Sequence, residues 1–308
     1  MPQDYTMTQA GAPRPRHIGA VNWLGLWTLY AREVRRFVKV GMQTVVAPVV
    51  TTLLFLAIFL LALSGQQRLV DGVPYLEFLA PGLVMMAMAQ NAFANTSSSL
   101  MIAKVQGNIV DVLMPPLSPG ELVWGFALGG VTRGLVVGVV VTIAMAAFVP
   151  VHIHSVPLML FHAVAASLLL SVLGLIGGIW ADKFDHIAAV TNFVVTPLAF
   201  LSGTFYSIDS LPEKFRVAAL CNPFFYMIDG FRYGFTGHAD GSLVLGIAVM
   251  VAINAGLLWL CHAMLASGYK LKACAAWKNP PSPASPSLRP PNWRGSEGLR
   301  ILPALTRA

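Results

Sequence analysis

Lysine, arginine, aspartate and glutamate are absent from six long blocks of this chain, and these blocks constrain the fold more than any other sequence feature. The blocks contain 165 of the 308 residues and lie at 40–67, 78–103, 122–132, 134–181, 186–208 and 241–269. Charged residues make up 11% of the chain, against about 25% in an average soluble domain. A spanning helix needs about 20 consecutive apolar residues, so the pattern predicts an all-α polytopic membrane protein.

The charge-free blocks resolve into six predicted transmembrane helices. Two prolines, Pro150 and Pro157, divide the longest block, because proline ends or kinks a helix. The third span is interrupted by Arg133, the one formal charge inside a predicted span core. The predicted spans are 43–63, 77–97, 122–149, 158–180, 187–203 and 243–266.

The basic residues are distributed unevenly between the two sides of these spans. Fifteen of the 20 lysines and arginines fall on the side that carries both termini, and four fall on the opposite side. The positive-inside rule therefore predicts that both termini are cytoplasmic. The same asymmetry accounts for the net charge of +7, so nucleic acid is not an expected partner. Three cysteines and no zinc-like Cys/His spacing exclude a disulfide framework and a structural zinc site.

Residues 21–42 predict an amphipathic helix lying in the bilayer interface. Basic residues form one helical stripe and mainly aromatic residues form the opposite one, which is typical of in-plane helices. The alternative is an ordinary juxtamembrane start of the first span. The basic stripe contains Arg32, Arg35, Arg36 and Lys39, and the opposite stripe contains Trp23, Trp27, Tyr30, Val34, Phe37 and Val38.

The loop between the second and third spans carries its own helix signals. Residues Ser98 to Met114 predict a short amphipathic helix, although Gly107 weakens it, and two prolines follow. Ser118 and Glu121 then match a capping box at the start of the third span. The loop residues alone leave two interpretations open: a docking element for a cytoplasmic partner, or an ordinary connector.

Residues 203–240 are predicted to be external, yet they contain nine of the chain's 31 aromatic residues. A second capping box, Ser210 to Glu213, predicts a short helix that stops near Asn222-Pro223, and a second helix runs to about Phe235. A freely solvated loop is not so apolar. The segment therefore predicts a re-entrant helix pair before the sixth span, in which protein buries the backbone.

Two features inside the spans suggest specific contacts. A central arginine costs about 2.5–3.5 kcal/mol to insert, so Arg133 is expected to meet an anionic headgroup or a partner helix, unless it extends to the interface. Small residues spaced four apart allow close helix packing, within or between subunits. These glycines are Gly130, Gly134 and Gly138 in the third span and Gly174 and Gly178 in the fourth.

Three ordered stretches resemble the ABC-2 type permease family, the membrane subunits of ATP-binding-cassette exporters. Within that family the chain resembles the NodJ-like and related bacterial inner-membrane permeases, and the resemblance covers about 21–272. The proline-rich C-terminal extension is longer than usual in that family. The stretches are 107–118 with Glu121 and 133–135, then 197–206, and finally 211–212 with 222–234.

The resemblance implies a half-transporter in a bacterial inner membrane that forms a homodimer of twelve spans. A separate cytoplasmic ATPase would hold ATP and magnesium, so this chain is expected to bind no cofactor or metal and not to be an enzyme itself. Its ATPase-coupling residues would be Lys104, Gln106, Asn108, Asp111, Asp182 and Asp185, and its external gate candidates Phe224, Phe225, Tyr226, Phe231 and Arg232. The expected substrate is amphipathic or lipid-linked.

The expected organisation is a mobile tail at 1–20, the interfacial helix at 21–42, the transmembrane domain at 43–266 and a basic proline-rich cytoplasmic tail at 267–308. The chain contains no Gly-Lys pair and therefore no phosphate-binding loop of the G-x-x-x-x-G-K-[ST] type, so an ATP-driven activity needs a partner. The alternatives are an ion-coupled secondary transporter and a non-transporting membrane scaffold. The lack of carboxylates in the span cores argues against ion coupling, and His162 and His262 are interpreted as buried neutral side chains rather than a proton relay.

Overall fold

The computed structural model describes residues 19–62, 69–70, 72–208 and 212–270. The described part is helical apart from a hairpin of two short antiparallel strands, β1 (Leu69–Val70) and β2 (Val73–Pro74). Nearly all of both predicted terminal tails lies outside the described residues. The helices are α1 (Trp23–Lys39), α2 (Gly41–Ala62), α3 (Tyr75–Val105), α4 (Ile109–Leu113), α5 (Pro119–Met145), α6 (Val156–Trp180), α7 (Phe184–Val190), α8 (Thr196–Phe200), α9 (Glu213–Leu220), α10 (Pro223–Thr236) and α11 (Leu243–Ser267).

Five of these helices are long and apolar enough to cross a membrane: α2, α3, α5, α6 and α11. They coincide with predicted spans one to four and six, so the polytopic helical fold is confirmed. The predicted fifth span corresponds to a shorter helical run, Phe184–Phe200, in which a π-helical turn at Thr191–Val195 joins α7 to α8.

The core is built around α3, which packs along both α5 and α6. Glycines make this approach possible. A methyl group added at Gly174 of α6 would lie 2.5 Å from the carbonyl oxygen of Phe93, and one at Gly134 of α5 would lie 3.1 Å from that of Met88. Gly130, Gly138 and Gly178 also face neighbouring helices at short range. The two glycine series therefore lie at helix contacts within the subunit.

Helix α1 packs on α5 by a buried face formed by Leu29, Glu33 and Phe37. Trp23 and Trp27 remain 72% and 64% exposed. The amphipathic helix predicted at 21–42 is thus observed at Trp23–Lys39, but a carboxylate lies in its buried face.

The prediction of one helix from Ser98 to Met114 is wrong. Helix α3 continues to Val105 and the chain then turns before the five-residue α4. The turn passes through Gly107, whose φ of +74° is favourable only for glycine and ends the helix.

The capping box at the start of α5 is confirmed. The backbone N–H of Glu121 donates to the Ser118 hydroxyl at 3.3 Å, and the Glu121 carboxylate accepts from the Ser118 backbone N–H at 2.7 Å. The other oxygen of this carboxylate accepts from the backbone N–H of Asn22 at 2.5 Å. One side chain thus fixes the start of α5 and the start of α1 together.

Replacing Glu121 with alanine is expected to lower the free energy of unfolding by about 1–3 kcal/mol, because two partly buried N–H groups lose their acceptor. Thermal melting of the detergent-purified protein measures the change. Glu213→Ala, in the first turn of the exposed helix α9, is the matched control and is expected to have a much smaller effect. Equal melting temperatures for the two variants would contradict the role of Glu121.

Two short helices precede α11, as predicted. Helix α9 ends at Leu220, and α10 runs from Pro223 to Thr236, where Gly237 ends it with a φ of +74°. Residues 210 and 211 of the predicted capping box lie outside the described residues. Helix α10 packs against α6, α3 and α11, and the carbonyl of Gly234 accepts from the backbone N–H groups of His154 and Ser155 at 2.9 and 3.0 Å.

Candidate functional site

The loop between α3 and α5 presents a mixed polar and apolar surface. Ile109 and Val112 of α4 are buried and join an apolar cluster with residues of α5. Three of the predicted coupling residues, Gln106, Asn108 and Asp111, are exposed beside them. The same surface exposes four apolar side chains, Val105, Val110, Leu113 and Met114, of which Met114 is 75% exposed.

The fourth coupling candidate of this loop, Lys104, is held inside the subunit. Its ammonium group donates to the carbonyl oxygens of Ile179 and Ala181 at the end of α6. A cation at this position satisfies carbonyls that the helix leaves free and favours the negative end of the helix dipole. Lys104 therefore joins α3 to α6 rather than projecting from the loop.

A second lysine, Lys270, binds the same helix end. It donates to the carbonyl of Trp180 at 3.0 Å and to the carboxylate of Asp182 at 2.8 Å. This hydrogen bond and the two opposite charges lower the pKa of Asp182 and raise the pKa of Lys270. We call Lys104, Lys270 and the end of α6 the lysine clamp. Asp185, the last coupling candidate, is exposed in the first turn of α7.

A buried polar cluster joins α1 to α3. The Glu33 side chain is 1% exposed, and its carboxylate lies 3.1 Å from Arg36 and accepts from the Ser99 hydroxyl at 2.8 Å. Arg36 also donates to the carbonyl oxygen of Asn95 at 2.6 Å. Sequence analysis missed this cluster by assigning Arg36 to an interfacial basic stripe. The signal was Glu33, the one carboxylate in residues 21–42.

A cavity of about 720 Å³ lies between α1, α2, α3 and α5. Its wall contains Arg36 and Arg133 together with the polar side chains of Gln43, Gln90, Asn91 and Ser98. The Arg133 guanidinium donates through Nη2 to the amide oxygen of Asn91 at 3.1 Å. The intramembrane charge predicted from sequence therefore faces a cavity inside the subunit.

The five external gate candidates form one buried group. Phe224, Phe225, Tyr226, Phe231 and Arg232 are at most 9% exposed and pack into the core of the subunit. Arg232 stacks over the ring of Phe78 in α3 at 3.7 Å, and its Nη2 donates to the carbonyl of Gly203 at 2.7 Å. A substrate would therefore reach these side chains only if α10 moved away from its neighbours, and their gate role stays a prediction.

The two histidines predicted to be buried differ in their surroundings. His162 is fully buried, and its Nδ1 lies 2.9 Å from the carbonyl of Leu158, whereas His262 is exposed on α11. Among the described residues, no three histidine, cysteine or acidic side chains are grouped so as to hold a metal ion.

A model of the ABC-2 type transporter family matches residues 25–236. The chain is 38% identical to the inner membrane transport permease YadH of Escherichia coli K12 over 251 residues, which cover 82% of this chain and 98% of YadH. It is 25% identical to nodulation protein J of Rhizobium leguminosarum bv. viciae over 237 residues, which cover 75% of this chain and 89% of that protein. The matched region contains α10 and all the described spanning helices except α11.

Proposed function

The chain belongs to the ABC-2 type transporter family, and from that membership we propose that it is the permease subunit of an exporter driven by a separate cytoplasmic ATPase. Its apolar helices and its likeness to an inner-membrane permease identify it as a multi-pass inner-membrane protein. The direction of transport, the ATPase contact and the substrate are the proposed parts.

The observation that carries the proposal is the exposed surface of the loop between α3 and α5. Apolar side chains that project into water from a short loop are typical of an interface with another protein. Val105, Val110, Leu113 and Met114 supply this apolar area, and Gln106, Asn108 and Asp111 supply polar groups beside it. We propose that the ATPase docks on this surface, which we call the docking surface.

We further propose six spans and cytoplasmic termini, with Phe184–Phe200 as the fifth span. Its 17 residues fall at the lower end of the range of about 17–25 residues that cross a bilayer. A short span is consistent with α9 and α10 re-entering the membrane beside α3 and α6. The pair would then form the outer boundary of the path taken by an amphipathic or lipid-linked substrate.

A second copy of the chain is the proposed membrane partner. Helix α2 has only three buried residues, Thr44, Thr52 and Leu56, and the described residues of α7 have none. Apolar helices that contribute so little to the subunit core are available for packing against another subunit. A homodimer formed in this way would bring two docking surfaces to the same side of the membrane for two ATPase subunits.

Replacing Met114 with glutamate is expected to reduce co-purification with the partner ATPase by about tenfold, because a charge enters the apolar part of the docking surface. Pull-down of the ATPase and substrate-stimulated ATP hydrolysis are the measurements. Ile153→Glu, in the exposed loop between α5 and α6, introduces the same charge elsewhere and should leave both unchanged. Normal co-purification of the Met114 variant would contradict the docking surface, and transport that depends on the proton gradient rather than ATP would contradict the exporter.

A further inference from the structure

The cavity between α1, α2, α3 and α5 contains an excess of positive charge. Its wall includes two arginines and, among the described residues that line it, no carboxylate. Arg36 is neutralised by Glu33, which lies just behind the wall. Arg133 has no such partner: Nη2 donates to a neutral amide, and the buried Nε has no hydrogen-bond partner among the described residues. A guanidinium in this position is stabilised by an anion.

A second copy of the chain cannot supply that anion from its membrane core. The six charge-free blocks leave no aspartate or glutamate in the span cores, since Glu77, Glu121 and Asp185 lie in the first turns of their helices. Packing two copies together therefore brings no carboxylate to Arg133 at its depth. Arg133 lies 14 residues after Pro119, or about 21 Å along α5 at 1.5 Å per residue. Asn91 lies equally far from the end of α3, which places both residues well inside the bundle.

The polar groups of the wall form a track that leads to Arg133. Gln43 and Thr44 lie at the start of α2, where the cavity begins. Ser98 follows, seven residues from the end of α3, and accepts a hydrogen bond from Arg36 at 3.2 Å. Asn91 and Gln90 come next, two turns further along α3. An anionic group entering beside α2 would meet a hydrogen-bonding side chain at each turn.

The deeper part of the wall is apolar. Phe55, Leu83 and Met86 line the cavity beyond Arg133, and α2 separates it from the outside with few buried contacts. Such a wall suits a hydrocarbon chain, whereas the Arg133 guanidinium, with amide and hydroxyl groups nearby, suits an anion with several oxygens. The combination points to one amphipathic molecule rather than to a soluble ion.

We propose that this cavity binds the phosphate group of an anionic lipid, with Arg133 as the binding residue and Asn91 as the residue that positions its guanidinium. Asn91 is itself fixed, because its amide donates to the carbonyl of Ala87 at 3.0 Å. The role of the lipid as a transported substrate rests on the proposed exporter function, whereas its binding at Arg133 does not. The phosphate is then the group by which the exporter recognises its substrate.

Native mass spectrometry of the full chain, purified in neutral detergent without the ATPase, tests the binding. The probes are dioleoyl phosphatidylglycerol, neutral diolein with the same chains, and inorganic phosphate. The wild-type protein is expected to bind the phosphatidylglycerol about tenfold tighter than diolein, and Arg133→Gln is expected to abolish this preference. Arg35→Gln removes an exposed arginine of α1 outside the cavity, and this variant should keep the preference for phosphatidylglycerol.

A second variant covers the case in which Arg133→Gln does not fold. Gln90→Glu has nearly the same shape and places a carboxylate in the cavity wall, so it should neutralise the site and remove the preference while Arg133 is intact. If either variant still binds phosphatidylglycerol more tightly than diolein, as the wild type does, the proposal is overturned. Complete displacement of the lipid by inorganic phosphate would also overturn it, because the site would then take a free anion. Lipid binding without ATPase stimulation would leave the site standing and refute the role of the lipid as a transported substrate.

Discussion

Replacing Arg232 with methionine is expected to lower the free energy of unfolding by about 3–5 kcal/mol, the largest effect of any substitution considered for this chain. The side chain is 1% exposed and joins three segments: it stacks on Phe78, donates to the carbonyls of Phe78 and Gly203, and lies 4.0 Å from Asp240. Methionine fills similar space but leaves two carbonyls without this donor and a buried carboxylate without its nearest guanidinium.

Thermal melting of the purified protein, with size-exclusion chromatography to detect aggregation, measures this loss. Lys214→Met removes an exposed cation from α9, in the same segment before α11, and should melt like the wild type. Adding Asp240→Asn to Arg232→Met removes the carboxylate that has lost its arginine and should restore part of the stability. If the double variant loses as much free energy of unfolding as Arg232→Met alone, the stacking on Phe78, rather than the charge pair, holds α10 in place.

Replacing Gly174 with alanine is expected to destabilise the protein by about 1–3 kcal/mol, although alanine favours helices. The added methyl group would lie 2.5 Å from both the carbonyl oxygen of Phe93 and the hydroxyl oxygen of Thr96. The first is backbone, and the second is held by a 2.6 Å hydrogen bond to the carbonyl of Ser171. Neither can move without shifting α3 away from α6.

Gly177→Ala on the same helix provides the matched control for Gly174→Ala. Its methyl group would be 3.8 Å from the nearest atom, in Ile187, so it fits without displacement and should gain about 0.5–1 kcal/mol from helix propensity. The two variants should therefore shift the melting temperature in opposite directions. A stabilising Gly174→Ala would mean that α3 and α6 are packed less closely than the structure shows.

The spans were predictable from the sequence because the membrane imposes its requirement residue by residue. Each span must be apolar over its own length, so the charge-free blocks alone locate α2, α3, α5, α6 and α11. Capping is equally local, and Ser118 and Glu121 indicated the start of α5 from four consecutive positions. The error at Ser98–Met114 was also local, since Gly107 was recognised as weakening that helix but not as ending it.

Contacts between distant segments could not be predicted in this way. The buried cluster of Glu33, Arg36 and Asn95 joins residues about 60 positions apart, and helical periodicity alone assigned Arg36 to the membrane surface. Lys104 looked like a loop residue until the end of α6 was placed beside it. The aromatic residues of α10 similarly appeared free to meet a substrate, because their burial depends on α3 and α6.

The lysine clamp has a consequence for the biosynthesis of this protein. Lys104 is synthesised before α6 and is available as soon as that helix is inserted, whereas Lys270 follows α11 and reaches the ribosome exit only after the last described span. The carbonyl of Trp180 and the carboxylate of Asp182 therefore gain their lysine partner late in membrane integration. A fluorescent reporter or affinity tag should accordingly be fused beyond Lys270, because a fusion that replaces this residue would leave the end of α6 only half capped in the finished protein.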